Sequence, residues 1–266
     1  MSRCVVVHAG FHKTGTTTTQ ATLLRNGKAL WPTHAVVLPG RLTHVLRMAT
    51  LHSTLRDALT LAEFRHRLDA FLATLDLGAR RGLVLSAENL SGLIPGRKEV
   101  TGYDAAPALL AETARALAAR WPDLDLHVIL TTRDPAAWLR STWWQNLRSS
   151  RLTEDLESYA ARLGPGLDLS ATVEAVTAAV RAVLPGASVR AAPIEPLRDA
   201  ALGPATPVLE AMGLAPATLA ALEPAPAMNA APDAATVTQV LALNRGPLDA
   251  AACRAAKAAL LGLDNV

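Results

Sequence analysis

Short runs of consecutive apolar residues alternate along the chain with longer stretches in which apolar residues recur every third or fourth position. The runs at 4–8, 35–38, 82–86 and 126–131 predict strands that are apolar on both faces, as in the interior of a parallel sheet. Helices are expected over 17–25, 43–77, 105–120 and 136–149. The second of these carries Leu61, Phe64, Leu68, Phe71 and Leu75 on one face. Asn26-Gly27 ends the first helix, Pro122 follows the third, and Pro135 opens the fourth, where its missing N–H costs nothing. The later half predicts helices over 153–163 and 170–184 and a fifth strand over 188–194, which Pro193 confines to a sheet edge or a strand end. Residues 199–233 are rich in Ala and Pro and predict irregular chain with short helices. Helical patterns over 237–243 and 248–261 follow, and no internal repeat is visible.

Strands alternating with helices imply an α/β architecture: a central parallel β-sheet flanked by helices. Ligands bind such sheets at the carboxyl ends of the strands. That rule selects the turns after Val7, Leu85 and Thr131.

The 266 residues accommodate one large domain, and a single domain spanning 1–266 is expected. Hydrophobic residues at 50% and charged residues at 18% exclude a disordered chain. Aromatics make up only 4%, so the core must be built from Leu, Val and Ala. A net charge of +3 is too mild for a polyanion-binding surface and predicts no nucleic-acid partner, although it leaves room for a local basic pocket. Cys4 and Cys253 offer neither a disulfide framework nor metal-ligand spacing. With no apolar run long enough for a transmembrane segment or signal peptide, a cytoplasmic protein is expected.

In the first turn, Gly10 and Gly15 are separated by four residues, the spacing of a phosphate-binding loop. Lys13 lies inside the loop instead of after it, and Thr16, Thr17, Thr18 and Thr19 follow. Glycines that let N–H groups converge, a helix N-terminus, a lysine and threonine hydroxyls together make an anion cradle. Four successive threonines are poor helix formers, so propensity alone does not explain them. In the third selected turn, Arg133 leaves a strand and Ser141 follows eight residues later on the helix, so that a guanidinium and a hydroxyl can converge on one oxyanion. Arg-Asp-Pro can also be a plain turn with a local Arg–Asp pair. Glu88, just past the third strand, is a candidate general base or a helix cap. His12 either touches the ligand or shapes the loop. Trp138 and Trp143 fit core positions, and Arg245 a helix end. Arg41, Arg47, Arg56, Arg65, Arg67, Arg97, Lys98 and Arg151, in the variable segments around the cleft mouth, suit either an anionic sugar acceptor or, the favoured reading, an ordinary solvated surface.

The segment HKTGTT after the first strand resembles the 5′-phosphosulfate-binding loop of sulfotransferases that use 3′-phosphoadenosine 5′-phosphosulfate (PAPS), most of all bacterial and carbohydrate sulfotransferases. Strand–Arg-Asp-Pro–helix–Ser resembles the 3′-phosphate motif of that family, and strand–Ser-x-Glu resembles its catalytic segment. The resemblance covers mainly residues 4–20, 83–90 and 126–145. It implies a P-loop-type sulfotransferase fold. Lys13 would contact the bridging oxygen of the sulfate, and Thr14, Gly15, Thr16, Thr17 and Thr18 would bind the 5′-phosphosulfate. Arg133 and Ser141 would grip the 3′-phosphate, and Glu88 would act as base. If Glu88 is not the base, His44, His52 and His66 are the other candidates. PAPS would be the co-substrate and 3′-phosphoadenosine 5′-phosphate (PAP) the product, with no metal and with a glycan or small-molecule acceptor. The rivals are a phosphate-loop kinase or nucleotide triphosphatase, and a non-catalytic nucleotide-binding protein.

Overall fold

The computed structural model describes residues 2–164, 168–226 and 232–262. In chain order it contains β1 (Arg3–His8), α1 (Thr16–Arg25), α2 (Gly27–Leu30), β2 (His34–Val37), α3 (Thr43–Leu55), α4 (Ala58–Ala73), β3 (Gly82–Ser86), α5 (Ala106–Arg120), β4 (Leu124–Thr132), α6 (Pro135–Ser149), α7 (Leu156–Leu163), α8 (Leu169–Val183), β5 (Ser188–Pro193), α9 (Thr206–Ala211), α10 (Pro216–Ala220), α11 (Ala234–Arg245) and α12 (Ala250–Leu261).

All five strands are parallel, in the order β2-β3-β1-β4-β5. The central strand β1 pairs with β3 through Val5↔Leu83 and Val7↔Leu85, and with β4 through Val5↔Leu126 and Val7↔Val128. Alternate side chains therefore enter opposite layers. Val5, Val7, Leu83, Leu85, Leu126 and Val128 pack with α3, α4, α5 and α8. Val6, Val84 and Ile129 face Leu23 and Leu30 below α1 and α2, and Val208 and Leu209 of α9. A smaller cluster joins Trp143 and Leu147 of α6 to Tyr159 of α7 and Val240 of α11. The buried Lys257 of α12 donates to Leu147 O and Ser150 O, which anchors the last turn of α6.

The α/β architecture with a central parallel sheet is present, with β5 and its Pro193 at the edge. One local expectation changes. The helix expected over 43–77 is two helices, broken where Arg56 takes a left-handed φ of 56° and Asp57 caps α4 by accepting from Thr60 N at 2.6 Å. Asn26 ends α1 as expected, and Gly27 then begins a further single-turn helix, in which Asn26 O accepts from both Ala29 N and Leu30 N. No described helix is long and apolar enough to cross a membrane. Both cysteines are free thiols.

Candidate functional site

The strand order reverses its direction of growth at β1, with β3 on one side and β4 on the other. The loop leaving β1 therefore lies at the crevice where open parallel sheets hold ligands. Gly10 and Gly15 both have φ of 86°, and Lys13 has φ of 67°. A left-handed lysine is uncommon, and left-handed residues are the means by which anion-binding loops turn N–H groups toward a ligand. Gly10 is required for a second reason. A Cβ placed there would lie 2.8 Å from Glu88 Cβ, so the glycine lets the end of β3 close onto the loop. A Cβ at Gly15 would meet Pro204 Cβ at 2.8 Å. Gly15 is the N-cap of α1, and no side chain caps that terminus, which leaves the first-turn N–H groups open to an anion.

The loop rests on a rigid floor. Ala9 N and Phe11 N donate to Ile129 O and Thr131 O of β4, and Ser91 Oγ donates to Ala9 O at 2.7 Å. Trp138 of α6 is buried and donates through Nε1 to His12 O at 2.9 Å, while Trp143 donates to Glu154 O at 3.0 Å. Both indoles are core elements, as their helix positions predict. The Tyr103 hydroxyl, which sequence reasoning missed, sits 2.9 Å from His12 Nδ1 and accepts from His12 N at 3.1 Å. Burial pushes the His12 imidazole down to about 4, against the opposing pull of Glu88, and so keeps it neutral near pH 7.

A cleft of about 590 Å³ opens above this floor. From the expected residues it gathers Lys13, Gly15, Thr16, Thr17, Thr18, Glu88, Arg133 and Ser141. A second hollow of about 680 Å³ adjoins it through Lys13, Arg133, Ser141 and Arg148, with Trp143 and Trp144 in its wall. Thr14 departs from the expected set. Its side chain is fully buried, and its hydroxyl is engaged by Phe11 O and, at 2.6 Å, Thr131 Oγ1, so it braces the loop.

No family model matches the chain, and no curated protein matches it. The chemistry must therefore be read from the lining. Lys13, Arg97, Arg133, Arg148 and Arg198 face a single carboxylate, Glu88. Burial, with Arg148 and Arg133 nearby, lowers the Lys13 ammonium to about 8, and its Nζ lies 3.3 Å from Gln145 Oε1. Arg133 gives Nη1 to Lys13 O at 3.2 Å, while its buried Nε has no partner. Burial and the neighbouring Arg198 lower its pKa. An orphaned guanidinium N–H in a lining with four further cations, offset at Arg133 only in part by Glu195 and Asp134, marks a place where an anion would relieve both desolvation and repulsion.

Asp134 does not pair with Arg133. Its carboxylate caps α6 by accepting from Ala137 N at 2.9 Å, and Asp134 N donates to Glu195 Oε1 at 2.9 Å. Glu195 therefore shapes the Arg133 turn through a backbone N–H. Glu88 opens a single 3-10 turn but caps nothing with its side chain, and Gln20 Nε2 holds its Oε2 at 2.8 Å. The histidines considered in its place are elsewhere. His44 and His66 are exposed on α3 and α4, and His52 is buried against Thr60 Oγ1 at 3.0 Å. Arg245 ends α11 and donates to Thr153 O.

Sequence reasoning missed Arg148 and Arg198 and did not single out Arg97 among the arginines of the cleft mouth, for which it favoured a solvated surface. Arg148 lies seven residues beyond Ser141, two helical turns along the same face, and that spacing was available as a signal. Among the other arginines of that surface group, Arg56, Arg65 and Arg67 do form exposed or half-buried ion pairs with acids.

Proposed function

We propose that the protein transfers a sulfuryl group from PAPS to a hydroxyl acceptor. The observation that carries this reading is the convergence, in one cleft at the carboxyl ends of parallel strands, of the HKTGTT loop, the Arg133–Ser141 pair and Glu88. Each group fits a distinct part of that substrate. The open N-terminus of α1 and the hydroxyls of Thr16, Thr17 and Thr18 suit the 5′-phosphate. Arg133, with an unpartnered Nε–H, and Ser141 on the facing helix suit the 3′-phosphate. The hollow beside them, walled by Trp143 and Trp144, has room for a nucleoside.

Lys13 and Glu88 then divide the chemistry. Glu88 accepts the proton of the acceptor hydroxyl as the acceptor oxygen forms a bond to sulfur. The bond between sulfur and the 5′-phosphate oxygen breaks, and its electron pair leaves with PAP. Lys13 stabilises the charge growing on that departing oxygen. Gln20 fixes one Glu88 oxygen and leaves the other for the acceptor. The neighbouring cations bring the two substrates into line, which supplies much of the acceleration in transfers of this kind.

The rival kinase reading would place a lysine directly after the second loop glycine and a Mg²⁺-binding Asp at the end of an apolar strand. Here Lys13 stands before Gly15, and among the described residues Glu88 is the one carboxylate in the cleft lining beside the threonine hydroxyls. Thermal melting separates the two readings. In EDTA, PAP should raise the melting temperature, because a ligand that binds only the folded state stabilises it by mass action. A rise with ATP and Mg²⁺ but none with millimolar PAP would overturn the sulfotransferase reading.

A further inference from the structure

The segment that follows Glu88 carries an arginine into the cleft on a scaffold of its own. The chain runs from Glu88 through Leu93 and Ile94 into a tight turn, in which Gly96 N donates to Val100 O at 2.7 Å and Val100 N donates to Arg97 O at 2.9 Å. Lys98 and Glu99 both take left-handed φ values, 47° and 62°. Two consecutive non-glycine residues in that region are costly unless the surroundings hold them there.

The surroundings do hold them. Asn146 Nδ2 donates to Pro95 O at 2.8 Å and to the Tyr159 hydroxyl at 2.9 Å, and that hydroxyl donates to Pro95 O at 3.1 Å. Gly96 has φ of 90°, and a Cβ there would lie 2.6 Å from Asn146 Nδ2, so α6 and α7 close directly onto the turn.

This scaffold presents one side chain to the cleft, Arg97. Its Nε donates to Asn146 Oδ1 at 2.7 Å and its Nη2 to Ser149 Oγ, both neutral acceptors. Arg97 is half-buried, and among the described residues no carboxylate stands within ion-pair distance of it. A guanidinium that is partly desolvated, fixed by amide and hydroxyl oxygens and left without a counter-charge is set to receive an anion. It shares the cleft lining with Glu88 and the apolar Leu93 and Ile94, and the two residues that hold it, Asn146 and Ser149, flank Arg148 on α6.

Resting on the sulfotransferase reading, we infer that the acceptor is itself an anion: a hydroxyl compound bearing a carboxylate or sulfate ester that Arg97 seats, with an apolar flank lying on Leu93 and Ile94. Arg97 would select the acceptor, and Glu88 would deprotonate its hydroxyl.

The test is a calorimetric titration of the full-length protein saturated with PAP, using matched probes. Glucuronate is compared with its methyl ester, and glucose 6-sulfate with glucose. The wild type should bind each anion roughly 10- to 100-fold more tightly than its neutral partner, the worth of a charge-assisted contact. Arg97→Gln should bring that ratio close to one. The relative strength of the carboxylate and sulfate arms identifies which anion the seat prefers. Equal binding of charged and neutral probes by the wild type overturns the inference without reference to any variant. Undiminished preference in Arg97→Gln overturns the role of Arg97. If PAP itself fails to bind, the sulfotransferase reading and the acceptor assignment fall. Arg97-dependent binding of the anions would then still uphold the seat.

Discussion

Replacing Arg133 by Ala separates recognition of the 3′-phosphate from support of the loop. In the structure the guanidinium gives one N–H to Lys13 O and keeps a buried Nε–H without a partner, and the rest of the fork faces the cleft. The substitution removes two things. One is the contact to Lys13 O, which steadies the 5′-end cradle for any nucleotide. The other is a charge-assisted pairing that only a 3′-phosphate can use, worth about 1.5–3 kcal/mol. Since about 1.4 kcal/mol is tenfold in affinity, PAP should weaken by roughly 10- to 150-fold more than adenosine 5′-phosphosulfate, which lacks the 3′-phosphate. Arg133→Lys, which keeps the charge and loses the fork, should fall between. The assay is calorimetric titration of both nucleotides at pH 7 in EDTA, with the melting temperature of the free variant as the check on folding. Equal losses for the two nucleotides would show that Arg133 acts through the loop alone and would refute the assignment.

Gly10→Ala should destabilise the fold by at least about 1–2 kcal/mol, since φ of 86° is costly for Ala and the new Cβ meets Glu88 Cβ at 2.8 Å; an unchanged urea midpoint would contradict this. Burial and nearby arginines lower the Lys13 ammonium to about 8, so its charge is lost as pH rises through 8. PAP affinity in calorimetry should therefore fall with an apparent pKa near 8, and a flat profile from pH 7 to 9.5 would exclude a charged Lys13 contact to the 5′-phosphate oxygen. His8 and His34 are held neutral by burial, at about 4 against 6.5 when unfolded. The unfolded chain binds their protons first as pH falls. Stability is thus fully present above pH 6.5 and declines toward pH 4, by up to about 1.4 kcal/mol per pH unit for each histidine. A urea midpoint that stays constant from pH 7 to 4.5 would contradict it.

The sheet was legible because its strands are buried on both faces. Val5–Val7, Leu83–Leu85 and Val128–Leu130 are each buried without a polar interruption, as a covered parallel sheet requires. The cradle was legible because glycine spacing and a lysine lie within one local segment. The break between α3 and α4 was not, because the apolar spacing continues across Arg56; the cap signal of Asp57 followed by Thr60 was present and unused. Thr14 could not be told from its neighbours, since its hydroxyl turns inward only once β4 brings Thr131 beneath the loop. Arg97 was hidden for the same reason. Nothing near it in sequence distinguishes it from the other surface arginines, and the residues that aim it, Asn146 and Ser149, lie 49 and 52 positions away. Local patterns therefore disclosed the groups that belong to one loop. Groups assembled by tertiary packing around the cleft mouth had no local signature.

The proposed sulfuryl-transfer site consists of Lys13, Glu88 and the nucleotide cradle. Its most direct test is the rate of PAP release from PAPS, with EDTA present and a panel of hydroxyl acceptors that includes anionic sugars, in the wild type and in Glu88→Gln. The glutamine keeps the size of Glu88 and can still accept the Gln20 hydrogen bond, but it cannot take a proton. Acceptor-dependent PAP release should be observed in the wild type. It should fall by roughly 10²–10⁴-fold in the variant, the usual worth of a general base, while PAP affinity stays within about threefold of the wild type. Wild-type turnover by a folded Glu88→Gln protein, or no PAP release from the wild type with any acceptor, would contradict the proposal.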